Sequence, residues 1–288
     1  ARVSPCKYFY QLFGMRFRIV ERDGHMNKKS VMPTMESVDR FKAAMDSDRG
    51  ALGPFMICTD PAMVEAAGHA GYDFVLLDME HGTTTFQELP NLIRAANVTG
   101  VCPVVRVPRG SDIWIDQALD VGAGAVMIPQ IDTAEQARAA VSAAKFSPVG
   151  TRGTCRFVRS AGFGAVPGSE YFSRAQDTVV ILQAEGQKAI DNLDEILDVP
   201  GIDVVFVGPY DLSSSLGHVG EIDHPEVIAA IKQIIAKAAA KGVKIGCFAD
   251  TVEGGKKWRD MGVKFIGYGC DTYIFMQAAK ADVAEFDV

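Results

Sequence analysis

The stretch VVILQAEGQKAIDNLDEILDVPGIDVVFVGPYD, residues 179–211, holds two apolar runs, 179–184 and 204–207, joined by a polar, helix-forming segment. Both runs are short, rich in β-branched residues and apolar at successive positions, as a parallel strand buried on both faces requires. The first run ends in Glu185 and the second leads through Gly208-Pro209-Tyr210 into Asp211.

The same alternation recurs from Gly50 onward. Apolar runs at 53–58, 74–78, 102–107, 125–129, 179–184, 204–207, 243–248 and 265–269 are separated by segments whose apolar positions recur every three or four residues. Eight consecutive strand–helix units favour a closed (β/α)8 TIM barrel over an open doubly wound sheet. Asp60 before Pro61, Asp132 with Glu135, and His224 before Pro225 mark helix starts. Gly71, Gly122, Gly242 and Gly262 mark helix ends. Residues 1–49 form an N-terminal extension with one amphipathic helix near 35–45, expected to pack across the barrel bottom or against a neighbour. Residues 50–288 form the catalytic barrel. The segment 148–172 is long, glycine-rich and carries Arg152, Arg156, Arg159 and Tyr171, a length that in a compact barrel signals function.

The chain has 288 residues, 48% hydrophobic content and a formal net charge of -7. One large core is within reach, and the acidic balance argues against a nucleic-acid partner. No apolar stretch approaches the ~20 residues of a membrane span, and the N-terminus lacks the form of a secretory signal. The expectation is a cytoplasmic enzyme with no membrane partner. The six cysteines form no CxxC pair and are read as reduced thiols. Gly122-Ala123-Gly124 lacks the third glycine of a dinucleotide loop and is read as a turn. Lys188 falls on a helix outside the mouth, away from imine chemistry.

A barrel places its chemistry at the C-terminal ends of its strands. Those ends carry Asp78-Met79-Glu80-His81-Gly82, Arg106, Gln183-Ala184-Glu185 and Gly208-Pro209-Tyr210-Asp211. Glu185 and Asp211 come from neighbouring strands and can converge on a hard cation such as Mg²⁺, with Mn²⁺ or Co²⁺ as alternatives; alternatively, each merely opens a helix or turn. The histidines show no zinc-ligand spacing. Arg106 lies in an apolar strand and must meet an anion: either Asp78 or Glu80 in a salt bridge, or the negative charge of an enolate. His81, three residues after Asp78, is a candidate acid or base whose tautomer Asp78 would fix.

The motifs DMEHG (78–82), VVRVP (104–108), ALDVGAGAVMIPQI (118–131), PVGTRG (148–153), QAEG (183–186) and VFVGPYDLSSSLG (205–217) together resemble the HpcH/HpaI aldolase family, over nearly all the chain after the extension. The resemblance implies a metal-dependent barrel that makes and uses pyruvate enolate. Glu185 and Asp211 match its metal carboxylates, Arg106 its enolate-stabilising arginine, and Asp78 and His81 its acid/base pair. Gln183 matches a substrate-side polar group, and Asp120 a carboxylate that reaches a neighbouring subunit's site. It further implies homo-hexamers, trimers of dimers that exchange the last helix, here 272–284. The stretch TCRFVRSAGFGAVPGSEYF (154–172) replaces the alanine-rich loop of the family's aldolases. This stretch and the extension suggest an acceptor other than the semialdehydes of those aldolases; the resemblance implies decarboxylation of oxaloacetate and coupling of the enolate to a 2-pyrone to give a benzoate, with Tyr171 and Arg106 holding the pyrone. The alternative within the family is cleavage of a 4-hydroxy-2-keto acid to pyruvate and an aldehyde.

Overall fold

The computed structural model describes residues 33–109 and 112–286. Eight parallel strands, β1 (Ala51–Met56), β2 (Phe74–Asp78), β3 (Cys102–Arg106), β4 (Ala125–Ile128), β5 (Val179–Gln183), β6 (Val204–Val207), β7 (Lys244–Ala249) and β8 (Phe265–Cys270), close into a barrel in sequence order. The helices are α1 (Pro33–Asp46), α2 (Pro61–His69), α3 (Leu89–Thr99), α4 (Asp112–Val121), α5 (Ala134–Ala144), α6 (Gly168–Ala175), α7 (Gln187–Asp191), α8 (Leu193–Leu197), α9 (Pro209–Ser215), α10 (Pro225–Ala240), α11 (Val252–Asp260) and α12 (Asp271–Glu285). The eight expected strands are all present, β2 and β6 with the expected bounds and the others shifted at one or both ends by one or two residues.

Strand periodicity builds two cores. Val75, Leu77, Val105, Val126, Val180, Leu182, Val205 and Val207 face outward and pack under the helices. Phe74, Leu76, Cys102, Val104, Met127, Val179, Ile181, Val204 and Phe206 fill the barrel. Because the side-chain period is two, the next inward positions up the strands are Asp78, Arg106, Gln183, Glu185 and Gly208. The polar site thus rests on the inner apolar layers, and a one-residue register slip in any strand would remove its member.

The expected amphipathic helix forms α1 and closes the bottom. Val38, Phe41, Ala44 and Met45 join the barrel-filling cluster, with the fully buried Phe41 ring 5.5 Å from Phe74 and 5.9 Å from Phe265. Asp60 caps α2 by accepting the Ala62 N–H at 2.9 Å, and Gly71, Gly122, Gly242 and Gly262 all take positive φ. The start of α5 departs from expectation. Its capping pair is Thr133 with Gln136, each side chain accepting the other's backbone N–H at 3.3 and 3.1 Å, and not Asp132 with Glu135. The hydroxyl–amide pair satisfies two donors reciprocally at the cap and third positions, one residue along from the two acids.

The long segment after Pro148 folds as a 3-10 turn (Arg159–Gly164) followed by α6. Phe146, Ala161, Val166, Tyr171 and Ala175 with Met35 make a satellite cluster outside the barrel. Helix α12 buries only Asp271 and leaves Tyr273, Phe275, Met276 and Val283 exposed. A groove lined by Leu52, Tyr72, Gly255, Ile266 and Tyr268 runs along the outer wall near β1, β8 and α11. Cys58, Cys102, Cys155, Cys247 and Cys270 are free thiols, as expected; Cys6 lies outside the described residues. No helix among the described residues is long and apolar enough to cross a membrane.

Phe41→Ala removes the ring that closes the barrel bottom and should cost about 3–5 kcal/mol of unfolding free energy in urea titration; a loss below about 1 kcal/mol would show that α1 is dispensable to the core.

Candidate active site

The inward polar residues border a cleft of about 390 Å³ at the C-terminal mouth, lined among others by Phe55, Asp78, His81, Arg106, Gln183, Phe206, Gly208, Tyr210, Asp211 and Phe248. A larger groove of about 570 Å³ is lined among others by Pro108, Arg109, Asp112, Gln130, Asp132 and Gln136; the Arg106–Asp78 pair and Asp211 border the smaller cleft.

Register places Asp78 directly beside Arg106 on neighbouring strands. Arg106 donates Nε–H to Asp78 Oδ1 at 2.8 Å and its second nitrogen to Oδ2 at 2.6 Å, a two-pronged pair that fixes the guanidinium plane. Its remaining nitrogen lies 3.2 Å from Glu80, and the group sits 5.0 Å over the Phe55 ring. Burial pulls the Arg106 pKa down, but Asp78, Glu80 and Glu185 more than offset this, so the group stays charged. Burial pushes the Glu80 pKa up against the opposing charge of Arg106. Both anions that the sequence offered Arg106 are therefore present.

Asp78 does not orient the His81 imidazole. Its Oδ1 accepts the backbone N–H groups of Glu80 (2.9 Å) and His81 (3.2 Å), shaping the turn after β2, and its remaining capacity goes to Arg106. The carboxylate that the resemblance pairs with His81 is thus engaged by Arg106 and by the backbone of the turn. The exposed His81 lines the cleft.

Gly208 brings Glu185 and Asp211 together. A Cβ at this position would lie 2.7 Å from Glu185 Oε2, 3.2 Å from Asp211 Oδ2 and 3.5 Å from Gln183 Nε2, so any side chain would fill the space on which both carboxylates bear. Glu185 is only 7% exposed. Burial first, and then the charge of Asp211, push its pKa from the ordinary 4.5 to about 8, while the hydrogen bond from Gln183 opposes the shift. The Oε1 atom of Gln183 is buried with no hydrogen-bond partner among the described residues. Two oxygen donors around a small cradle, one of them buried against a like charge, fit a hard divalent cation.

Tyr171 and Asp120 do not join this cleft. Tyr171 is fully buried in the satellite cluster, its hydroxyl 2.9 Å from Ser160 Oγ and accepting from Arg152 at 3.3 Å. The apolar neighbours of α6 bury the ring, so the expected substrate role of Tyr171 finds no contact with the cleft in this arrangement. Asp120 accepts from Arg152 at 3.0 Å and so helps tether the long segment to α4. The histidines also gather where no spacing announced it: His218 stacks on His224 with ring centroids 3.4 Å apart and meets Glu226 at 2.7 Å. His224 Nδ1 accepts the Glu226 N–H at the start of α10, so its ring serves there as a helix cap. The sequence reading missed the aromatic side of the mouth. Tyr210 is among the strand-end residues quoted above but received no role, and Phe248, near the end of β7, would have been found by inspecting the apolar residues at every strand end.

Parallel closure, a polar mouth and paired acidic donors define a (β/α)8 barrel with a candidate cation site at the C-terminal ends of its strands. The chain belongs to the HpcH/HpaI aldolase/citrate lyase family, whose pattern matches residues 52–278. It is 40% identical to 2-dehydro-3,6-dideoxy-6-sulfogluconate aldolase of Pseudomonas putida over 80% of this chain and 89% of that protein. It is 38% identical to 2-keto-3-deoxy-L-rhamnonate aldolase of Escherichia coli K12 over 85% and 92%. A family protein from Burkholderia cenocepacia J2315 superposes with TM-score 0.81 at 33% identity, over 86% and 98% of the two chains. Macrophomate synthase superposes with TM-score 0.74 at 24% identity, over 89% and 94%, a likeness of fold. The curated relatives thus favour the aldolase alternative over the benzoate-forming reaction implied by the resemblance.

The raised pKa of Glu185 carries a sign. Between about 4.5 and 8 the folded chain retains a proton that the unfolded chain has released, so the metal-free protein loses stability as pH rises through that window. Glu185→Gln should flatten the decline and abolish stabilisation by Mg²⁺ at pH 8, read by thermal unfolding with and without Mg²⁺; an unchanged Mg²⁺ response in the variant would contradict this site.

Proposed function

We propose that the chain is a divalent-metal-dependent aldolase that cleaves a 4-hydroxy-2-keto acid to pyruvate and an aldehyde through the pyruvate enolate. The convergence of Glu185 and Asp211 on the Gly208 cradle, facing Arg106, carries this reading. Both curated relatives are named as aldolases, and those names describe 2-keto-3-deoxy acids. The expected Mg²⁺ would be held by Glu185 and Asp211, supplying Lewis-acid polarisation at the 2-keto oxygen.

The chain's own residues do the rest. Arg106, locked by Asp78, offers charge to the oxygen that becomes anionic as the C3–C4 bond breaks. Its geometry is set before substrate arrives, so little reorganisation is needed. Gln183 orients Glu185 through its amide N–H and leaves Oε1 as a buried acceptor for a substrate hydroxyl. His81, at the open side of the cleft, takes the C4 hydroxyl proton as the aldehyde forms. The enolate carbon then gains a proton to give pyruvate. In assembly, exchange of the exposed α12 between subunits and presentation of Asp120 to a neighbour would complete a hexamer.

The same enolate would serve oxaloacetate decarboxylation and coupling to a 2-pyrone. We put this reading second because the named relatives are aldolases, and because Tyr171, expected to hold the pyrone, lies in the satellite cluster and away from the cleft.

Pyruvate release from a panel of 4-hydroxy-2-keto acids, and benzoate formation from oxaloacetate with a 2-pyrone, separate the two readings. Arg106→Lys, which loses the fork, should lower kcat/KM for cleavage by about 100-fold. His81→Ala should depress cleavage by about 100-fold while sparing oxaloacetate decarboxylation, which needs no base. Equal losses in both reactions for His81→Ala would overturn its assigned role, and benzoate formation without keto-acid cleavage would overturn the aldolase reading.

A further inference from the structure

The cleft has two unlike sides. Asp78, Arg106, Gln183 and Asp211 gather the polar groups. Phe55, Phe206, Phe248 and Tyr210 form a run of rings that begins under the Arg106 guanidinium: Phe55 lies 5.0 Å beneath that group, meets Phe248 edge-on at 5.4 Å and lies 6.2 Å from Phe206, and Tyr210 lies 6.5 Å from Phe248. Three of these rings rise from the barrel strands. Tyr210 instead starts α9 beside Asp211, and its ring is 45% exposed at the mouth. A half-exposed ring in a loop-to-helix turn would ordinarily move among rotamers. Here the phenol donates to Asp250 Oδ2 at 2.5 Å, tying the end of β6 to the end of β7 and holding the ring over the opening.

Charge accounting separates the two halves further. Among the described residues lining the cleft, only Arg106 and His81 carry or can acquire positive charge. Arg106 is already shared between Asp78 and Glu80, and in the proposed reaction the enolate oxygen claims it. The Tyr210 side adds aromatic carbon and, behind it, the carboxylate of Asp250. An aldehyde with a carboxylate or sulfonate tail would meet no free cation among the described lining residues there and would face the carboxylate of Asp250. A short uncharged hydroxyaldehyde finds carbon contacts along Phe248 and Tyr210 and loses nothing electrostatically.

We propose that Tyr210, held in place by Asp250, is the specificity-determining wall of the acceptor subsite and selects a short, uncharged aldehyde fragment over an anionic one. The proposal rests on the enolate-aldolase reading above. Tyr210 acts by contact with the aldehyde half of the substrate, and Asp250 is a positioning residue that acts through Tyr210.

The test is aldol addition of pyruvate, with Mg²⁺, to lactaldehyde and to succinic semialdehyde, using the full chain and its Tyr210→Ala, Tyr210→Phe and Asp250→Asn variants. Exchange of the pyruvate methyl protons in D2O is followed for the wild type, because it reports enolate formation without any aldehyde. The wild type should favour lactaldehyde by about tenfold or more in kcat/KM. Tyr210→Ala should reduce that preference by about fivefold or more, mainly through the KM for lactaldehyde. Tyr210→Phe and Asp250→Asn retain the ring and loosen its tie, so they should shift the ratio in the same direction by less. A wild-type preference for succinic semialdehyde, or a ratio unmoved in both Tyr210→Ala and Tyr210→Phe, overturns the assignment; with methyl exchange intact, the enolate reading survives that result. Absence of exchange in the wild type overturns both.

Discussion

Glu185 and Asp211 bear on one small space, the one that a side chain at Gly208 would occupy, and Glu185 does so almost out of contact with water. Raising a carboxyl from 4.5 to about 8 corresponds to a penalty on the order of 5 kcal/mol for holding it ionised. The surrounding protein does little to relieve this. Gln183 donates one hydrogen bond, and Arg106, the cation facing the pair, is occupied by Asp78 and Glu80. A fold that maintains such a repulsion needs a rigid support, and the closed barrel supplies it. Strands β5 and β6 are locked in register by Ile181, Leu182 and Gln183 against Val204, Val205 and Phe206, and α1 seals the apolar layers underneath.

Much of this arrangement could be read from the chain. Strands buried on both faces announce themselves as short apolar runs, and counting them led to barrel closure. Barrel topology then converts a one-dimensional fact, that a run ends in Glu or Asp, into a three-dimensional one, that the carboxylate stands at the mouth. Glu185, Asp211 and Gln183 were legible for that reason. So was the need of Arg106 for an anion, since a guanidinium in PVVRVP cannot remain unpaired.

Features that depend on which side chains meet across elements were not legible. Asp78 and His81 are close in sequence, but the parallel register gives the Asp78 carboxylate to Arg106 and leaves His81 only its backbone contact. Tyr171 sits in a loop whose length suggests function, yet the apolar spacing of Phe146, Ala161, Val166 and Tyr171 produces a small core of its own. The tie between Tyr210 and Asp250 spans two strand ends that no local pattern connects. His218 and Glu226 come together only because the turn before α10 reverses the chain.

In the proposed aldolase the division of labour would be one of surfaces: acidic donors and a fixed guanidinium for the enolate half of the substrate, aromatic carbon for the other half. Everything in it presupposes that the buried acidic pair is a cation seat. Direct titration with Mn²⁺, followed by electron paramagnetic resonance, tests that claim without relying on turnover. The account predicts one tightly held Mn²⁺ per chain, displaced by Mg²⁺ and lost in both Glu185→Gln and Asp211→Asn. Mn²⁺ binding that persists undiminished in both variants, or no binding to the wild type, would contradict it.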